Sequence, residues 1–83
     1  MNLSMPDAVY LQDKVRDALP TMSRCEIKVA EVFLKDPQEF SELTVKEVSR
    51  QAHVSPPTVM RFCRTLGFDG FADCKRSLVG QAA

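Results

Sequence analysis

Residues 44–66, TVKEVSRQAHVSPPTVMRFCRTL, decide the fold of this chain because they predict two short helices joined by a tight turn. Thr44 can cap the first helix with its hydroxyl group. Glu47, three residues later, is placed to bond back to the backbone N–H of the cap, and this arrangement is a capping box. We therefore expect a helix over residues 45–52, followed by a turn that begins at His53.

The second helix of this stretch is predicted to begin at Ser55 and Pro56. Serine is a common helix cap, and a proline suits the first helical position because the N–H that it lacks has no partner there. Gly67 lies just past the predicted end, where a left-handed residue can close the helix. The apolar residues form one stripe, expected to face the core, and they are Val59, Phe62, Cys63 and Leu66. The opposite face carries Ser55, Pro56, Pro57, Met60, Arg61 and Arg64.

The spacing within residues 44–66 is that of a helix-turn-helix motif. The small residue Ser49 is followed by the turn residue His53 four positions later and by the apolar residue Val59 six positions after that. Glycine is usually favoured at the turn because the backbone there becomes left-handed. Histidine tolerates this conformation better than most residues, so we expect the motif to form at a modest cost. An ordinary two-helix hairpin in a small bundle is the alternative.

The exposed face of the second helix suits the major groove of DNA. Arginine can pair bidentately with guanine O6 and N7, and the N-terminal residues of a recognition helix enter the groove. We therefore predict that Arg61 and Arg64 contact bases or phosphates. The remaining predicted DNA-binding residues on this helix are Ser55, Pro57, Thr58 and Met60. Further phosphate candidates are Lys46, Arg50, Lys75 and Arg76, although a solvated helix end explains the last two equally well.

Length and composition favour a binding module over an enzyme. A chain of 83 residues forms one domain, and such a domain buries only roughly 60% of the surface that its unfolded chain exposes. The sequence contains no apolar run of about 18 residues and no signal peptide pattern, so we expect a cytoplasmic protein. Cys25, Cys63 and Cys74 are predicted to be buried reduced thiols rather than a disulfide or metal site. No metal or cofactor is predicted.

The net charge is zero at pH 7, but the charge is unevenly distributed along the chain. Residues 1–43 carry five basic and eight acidic side chains, for a net charge of −3. Residues 44–83 carry six basic and three acidic side chains, for a net charge of +3. The positive half contains the motif, as the electrostatic footprint of a DNA-binding protein requires.

The first half of the chain is expected to form two supporting helices. The first begins near Pro6 and ends before Pro20, and its predicted inward residues are Val9, Val15 and Leu19. Tyr10 and Leu11 lie off this stripe, where they are available for a dimer contact. A second capping box, at Ser23 and Glu26, predicts a helix over residues 24–35.

The remaining segments complete an all-α bundle of about five helices. Phe40 and Leu43 are expected to pin a connecting segment onto the core. Phe68 should fold back as the hydrophobic contact that accompanies a glycine helix end. Asp69 is the predicted cap of a last helix over residues 70–79, and its inward residues are Phe71, Cys74 and Leu78. The whole chain is expected to be one domain with a flexible start at residues 1–5 and the start of a linker at residues 80–83.

The string VSPPTVMRFCRTLGFDGFADCKRSL at residues 54–78 resembles the N-terminal domain of RpiR-type bacterial transcription regulators, and within that family the HexR branch. Two further pieces share the resemblance, namely the S-x-x-E helix start at residues 23–26 and KVAEVFLKDP at residues 28–37. The resemblance implies a helix-turn-helix domain followed by a sugar isomerase (SIS) domain, which is absent here. It also implies a homodimeric repressor that binds a palindromic operator near sugar catabolism genes and responds to a phosphosugar bound by the SIS domain.

Two other classes of function remain open on the sequence. The acidic first half of the chain would suit a helical protein-interaction module that does not bind DNA, and its binding would not weaken steeply with salt. An enzyme with Cys63 or Cys74 as nucleophile and His53 as base is the other possibility. Both cysteines fall on apolar stripes rather than in a polar cleft, which argues against the enzyme.

Overall fold

The computed structural model describes the backbone of residues 7–79 and the side chains of residues 11–77, and all regular secondary structure in this part of the chain is helical. The helices are α1 (Asp7–Ala18), α2 (Arg24–Lys35), α3 (Pro37–Glu42), α4 (Val45–Ala52), α5 (Pro56–Thr65) and α6 (Phe71–Val79), with a 3-10 turn (Leu19–Thr21) after α1. None of these helices is both long and apolar enough to cross a membrane. The flexible start and the linker predicted at the two ends lie outside the described residues.

Helices α2, α4 and α5 pack against one another in pairs and form the centre of the fold. Helix α6 lies against α1, α3 and α5, so that the last helix closes the other side of the core. Each of the six α-helices contributes at least one fully buried side chain. These side chains include Leu11, Val15, Val29, Phe33, Phe40, Val48, Val59, Phe62, Cys63 and Cys74. The two helices of the predicted motif therefore share one core with α2, and the all-α prediction is confirmed.

Helix α3 is the element that the sequence interpretation missed. The segment was expected to be a connection, because the proline at position 37 ends the preceding helix. The same Asp36–Pro37 pair also begins a helix, since Asp36 Oδ1 accepts the N–H of Glu39 at 3.1 Å and Pro37 occupies the first turn. The predicted role of Phe40 is confirmed: its buried ring lies 5.2 Å from that of Phe33, between ring centroids.

The inward face of α1 differs from the prediction. Leu11 and Val15 are both buried, at 1% and 0% exposure, whereas Leu19 lies in the 3-10 turn and is only half-buried. Leu11 and Val15 are four residues apart and therefore share one helix face. The expectation that Leu11 faces outward was wrong, and it is not available for a dimer contact. The side chains of Val9 and Tyr10 lie outside the described residues.

The capping box of α4 is confirmed, whereas the one predicted for α2 is only half formed. At α4, the N–H of Thr44 donates to Glu47 Oε1 at 2.8 Å and the N–H of Glu47 donates to Thr44 Oγ1 at 3.1 Å. At α2, the N–H of Glu26 donates to Ser23 Oγ at 3.3 Å. The carboxylate of Glu26 does not accept the backbone N–H of Ser23. Its Oε2 accepts the Ser23 hydroxyl at 3.3 Å, and its Oε1 accepts the hydroxyl of Thr65, at the end of α5, at 2.7 Å.

The start of α6 also corrects the sequence interpretation. Gly70, not Asp69, is the residue whose carbonyl accepts the first helical hydrogen bond, from Cys74 at 3.1 Å. Asp69 instead donates its own N–H to Asp73 Oδ2 at 3.2 Å, so the carboxylate that stabilises this turn comes from inside the helix. Phe71 and Cys74 are buried as predicted. The side chain of Leu78 lies outside the described residues.

Candidate nucleic-acid interface

The turn between α4 and α5 has the backbone geometry that the motif requires. His53 adopts φ 60° and ψ 44°, the left-handed conformation expected at this position. The N–H of Val54 bonds to the carbonyl of Ser49 at 3.0 Å, and the N–H of His53 bonds to that of Arg50 at 3.3 Å. These bonds close α4 and let the chain reverse into α5, so the prediction of a left-handed histidine is confirmed.

The first turn of α5 is built from two prolines. Ser55 occupies the cap position, but its hydroxyl makes no bond to the helix backbone. Neither Pro56 nor Pro57 has an N–H to offer, and the Ser55 hydroxyl lies instead 3.2 Å from that of Thr58. Ser55 is therefore the cap residue, as predicted, although its side chain does not bond to the helix backbone.

The end of α5 is fixed by Gly67, which adopts φ 96°. The N–H of Phe68 bonds to the carbonyl of Cys63 at 3.0 Å and the N–H of Gly67 bonds to that of Arg64 at 2.9 Å, and this pair of bonds is a Schellman motif. Phe68 packs against the core as predicted. The predicted apolar stripe is confirmed as well, since Val59, Phe62, Cys63 and Leu66 are all buried.

Burial of this stripe turns the opposite face of α5 outward. Arg61 and Arg64 are both exposed, as are Ser55, Pro56 and Pro57 at the start of the helix. Within the part of the chain that the structure describes, neither guanidinium group is engaged by another side chain. Two long cations thus project from the outer face of a helix whose orientation is fixed by its buried stripe.

Met60 and Thr58 lie at the edge of this outer face and are half-buried. The Cε of Met60 is only 3.2 Å from the point where a side chain at Gly70 would begin. Met60 therefore packs against the start of α6, and Gly70 leaves the space for it. The structure thus gives Met60 a packing contact in addition to its position on the predicted interface.

The other predicted cations have different surroundings. Lys46 and Arg50 are exposed on α4, and Arg76 is exposed on α6, where it lies 3.8 Å from Asp73. Lys75 is half-buried: its Nζ donates to the carbonyl of Leu43 at 2.8 Å and lies 5.1 Å from the centroid of the Phe71 ring. Lys75 therefore joins α6 to the residue that precedes the cap of α4, a role that the sequence did not indicate.

The cysteines divide into a buried pair and an exposed residue. Cys63 and Cys74 are buried as predicted, but Cys25 is exposed on α2, so the prediction for Cys25 was wrong. A hydrogen bond with Cys74, together with burial, raises the pKa of the Cys63 thiol and keeps it protonated. Cys63 and Cys74 are both buried away from solvent and from any substrate, and His53 lies exposed at the turn. This geometry gives no support to the cysteine enzyme considered above.

Comparison with known proteins agrees with this geometry. The profile of the helix-turn-helix domain of the rpiR family matches residues 9–83. The chain belongs to this family. The HTH-type transcriptional regulator HexR of Pseudomonas aeruginosa is 36% identical over 73 residues, which cover 88% of this chain and 26% of that protein. HexR of Escherichia coli is 38% identical over 71 residues, which cover 86% of this chain and 25% of that protein.

A different kind of relative carries a similar segment. The bifunctional protein glk of Paraburkholderia xenovorans is 35% identical over 66 residues, which are 80% of this chain but only 10% of that protein. The chain spans about a quarter of the length of the two HexR relatives. It is thus a DNA-binding helix-turn-helix domain of the kind found in transcriptional regulators, and the resemblance to the RpiR family and its HexR branch is confirmed.

Proposed function

We propose that this chain binds duplex DNA at a specific sequence and serves as the operator-binding domain of a transcriptional regulator. One observation carries the proposal: α5 follows a helix-turn-helix turn and presents two exposed arginines opposite its buried stripe, and no side chain among the described residues engages them. A helix of this kind enters the major groove, where arginine recognises guanine.

The individual side chains have separate roles in this proposal. Arg61 and Arg64 contact base edges or the flanking phosphates, while Lys46, Arg50 and Arg76 contribute phosphate contacts that strengthen binding without specifying sequence. Lys75 remains a candidate for a phosphate contact, but its ammonium group also donates a hydrogen bond to the Leu43 carbonyl. This bond holds the start of α4 in place.

The regulatory context of the domain rests on the family resemblance. The intact protein is a cytoplasmic homodimeric repressor of sugar catabolism genes, and it binds a palindromic operator. A phosphosugar bound to a C-terminal SIS domain controls the affinity of the intact protein for DNA. In this scheme the present chain supplies DNA recognition, and the SIS domain supplies effector binding.

The proposal is tested by selecting bound fragments from a pool of random duplexes and sequencing them. We expect enrichment of an inverted repeat whose half-sites lie about 34 to 36 Å apart, one turn of the DNA helix. A single enriched half-site would also support sequence-specific binding, while leaving symmetric pairing to the intact protein. If no sequence is enriched and binding is insensitive to salt, the protein-interaction alternative takes its place.

A further inference from the structure

The first turn of α5 has few polar groups to offer a ligand. A helix usually presents several free backbone N–H groups at its start, and these attract phosphates. Here Pro56 and Pro57 remove the first two, and the N–H of Thr58 bonds to the carbonyl of Ser55 at 3.0 Å. The hydroxyls of Ser55 and Thr58 are 3.2 Å apart, so one of them donates to the other and only one hydroxyl proton remains for a ligand. The tip of the recognition helix is therefore short of hydrogen-bond donors.

The same turn presents rigid apolar surface instead. Pro56 and Pro57 are both exposed, and they are adjacent at the end of the helix that a helix-turn-helix protein inserts most deeply into the groove. A proline ring fixes its own backbone angle and has almost no side-chain freedom to lose when it is buried. Burying these two rings against polar base edges alone would be energetically unfavourable, because the rings would have no apolar partner.

Thymine is the base that offers an apolar partner in the major groove. Its C5-methyl group projects there, and apolar side chains recognise it by direct contact. We propose that Pro56 and Pro57 are specificity-determining residues that select thymine through this methyl group, while Arg61 and Arg64 form the polar part of the recognition surface. This inference rests on the proposed DNA binding and adds the base class that the tip of α5 recognises.

The test removes the methyl group and nothing else. In the selected duplex, each thymine is replaced in turn by deoxyuridine, which pairs identically and keeps the same donors and acceptors. Burying one methyl-sized group is worth about fourfold in affinity. We therefore expect the wild-type chain to bind about fourfold more weakly when one particular thymine of a half-site loses its methyl group.

Two proline variants test whether the dependence on the thymine methyl group arises from the first turn of α5. In Pro56→Ser and Pro57→Ser chains, at least one variant should bind the thymine and deoxyuridine duplexes equally well. Pro37→Ser is the matched control, because Pro37 also occupies the first turn of a helix but lies in α3. The control should keep the methyl dependence. Circular dichroism verifies that each variant remains helical. The comparison of thymine and deoxyuridine duplexes with the wild-type chain does not depend on the folding of any variant.

The outcomes separate this inference from the proposed function. Equal wild-type affinity for the thymine and deoxyuridine duplexes at every position would overturn the inference and leave DNA binding intact. Methyl dependence that persists in both tip variants would overturn the assignment to the prolines. If the wild-type chain prefers no sequence at all, the proposed function itself fails.

Discussion

His53 shows how the motif accepts a residue other than glycine at its turn. A residue with a side chain is strained in the left-handed region by roughly 1 to 2 kcal/mol, because its Cβ approaches the following carbonyl oxygen. Histidine is enriched there relative to most residues, and the side chain is exposed at φ 60°. The chain retains the turn because the hydrogen bonds of Val54 and His53 to the end of α4 hold it.

Replacing His53 by glycine should therefore stabilise the fold. Relief of the strain exceeds the backbone entropy that glycine loses, so the free energy of unfolding is expected to rise by up to about 1 kcal/mol. Gln51→Gly, an exposed position in the last turn of α4, should instead lower it by about 0.5 to 1 kcal/mol. Urea denaturation measures both, and a loss of stability in His53→Gly would contradict the strain argument.

The three cysteines should differ sharply in their reaction with a thiol reagent. Cys25 is exposed, while Cys63 and Cys74 are buried and the pKa of Cys63 is raised. Because the thiolate is the reacting form, mild alkylation of the folded chain should modify Cys25 alone, even when the pH is increased. Mass spectrometry of the intact chain counts the modifications. Denaturant should make Cys63 and Cys74 reactive as well. Rapid labelling of Cys63 in the absence of denaturant would contradict its burial in the core.

Local signals predicted many residue environments, but partners distant in the sequence could not be predicted. The stripe through Val59 and Phe62 follows from the helical period alone. The bond from Thr65 to Glu26 and the bond from Lys75 to Leu43 join residues that are 39 and 32 positions apart. No local pattern fixes which surface of one helix meets another, so these contacts became visible only in the folded chain.

Helix α3 is only six residues long, but it carries the residue at the centre of the aromatic core. Phe40 lies at the centre of a ring cluster, with centroid distances of 5.2 Å to Phe33, 6.3 Å to Phe62 and 5.7 Å to Phe71. These rings belong to α2, α5 and α6, so one side chain of a six-residue helix joins three other helices. The sequence indicated the burial of Phe40 but not the helix, because the segment is too short for a periodic pattern.

Truncation of Phe40 is expected to be severe. Phe→Ala in a packed core costs about 3 to 5 kcal/mol, a large part of the roughly 5 to 15 kcal/mol that stabilises a whole domain. Phe40→Ala should therefore lower the thermal midpoint sharply or unfold the chain. Phe40→Leu fills most of the space and should be milder. Thermal unfolding followed by far-ultraviolet circular dichroism measures both variants, and a native-like Phe40→Ala chain would show that the Phe40 ring is dispensable.

Lys75 provides a second test at the level of helices. Its bond to the Leu43 carbonyl is charge-assisted and partly buried, and a bond of this kind contributes about 1.5 to 3 kcal/mol. Lys75→Met keeps the apolar stem and removes the donor, so the free energy of unfolding should fall by about that amount. Arg76→Met is the adjacent control, since Arg76 is exposed and its ion pair is long. Equal effects in the two variants would argue against a special role for Lys75.

The helix boundaries were predicted best where a cap residue or a proline stands at the end of a long helical pattern. Ser23 marks the start of α2, and Thr44 marks the start of α4. The proline at position 37 marks the end of α2, and the proline at position 56 marks the start of α5. The start of α6 was harder to predict because Asp69 and Gly70 are both common at helix caps. Only the observed hydrogen bonds distinguish the two.

At the scale of the whole chain, the fold explains how a molecule of zero net charge can approach DNA. The excess positive charge lies in residues 44–83, and the shared core of α2, α4 and α5 fixes which way α5 faces. In the proposed complex, the exposed Arg61 and Arg64 on the outer face of α5 meet the negatively charged duplex. Binding should therefore depend on salt, with log K falling by about 0.9 per phosphate contact for each unit of log salt concentration.

Substituting the two arginines should weaken this interaction without unfolding the chain. Arg61→Ala and Arg64→Ala are each expected to cost about 1 to 3 kcal/mol in binding to the selected duplex. An arginine that contacts a base should also reduce the preference over a scrambled duplex, whereas one that contacts a phosphate should reduce the salt slope by about 1. Arg16→Ala is the control, because Arg16 lies on α1 and pairs with Asp13.

The most direct test of DNA recognition by α5 is a titration of the selected and scrambled duplexes. The titration uses the wild-type, Arg61→Ala and Arg64→Ala chains between about 50 and 200 mM salt. We predict tighter binding of the selected duplex by the wild-type chain and a loss of about 1 to 3 kcal/mol in each arginine variant, with the Arg16→Ala control unchanged. Wild-type affinity in both arginine variants, at every salt concentration, would contradict the claim that α5 recognises DNA.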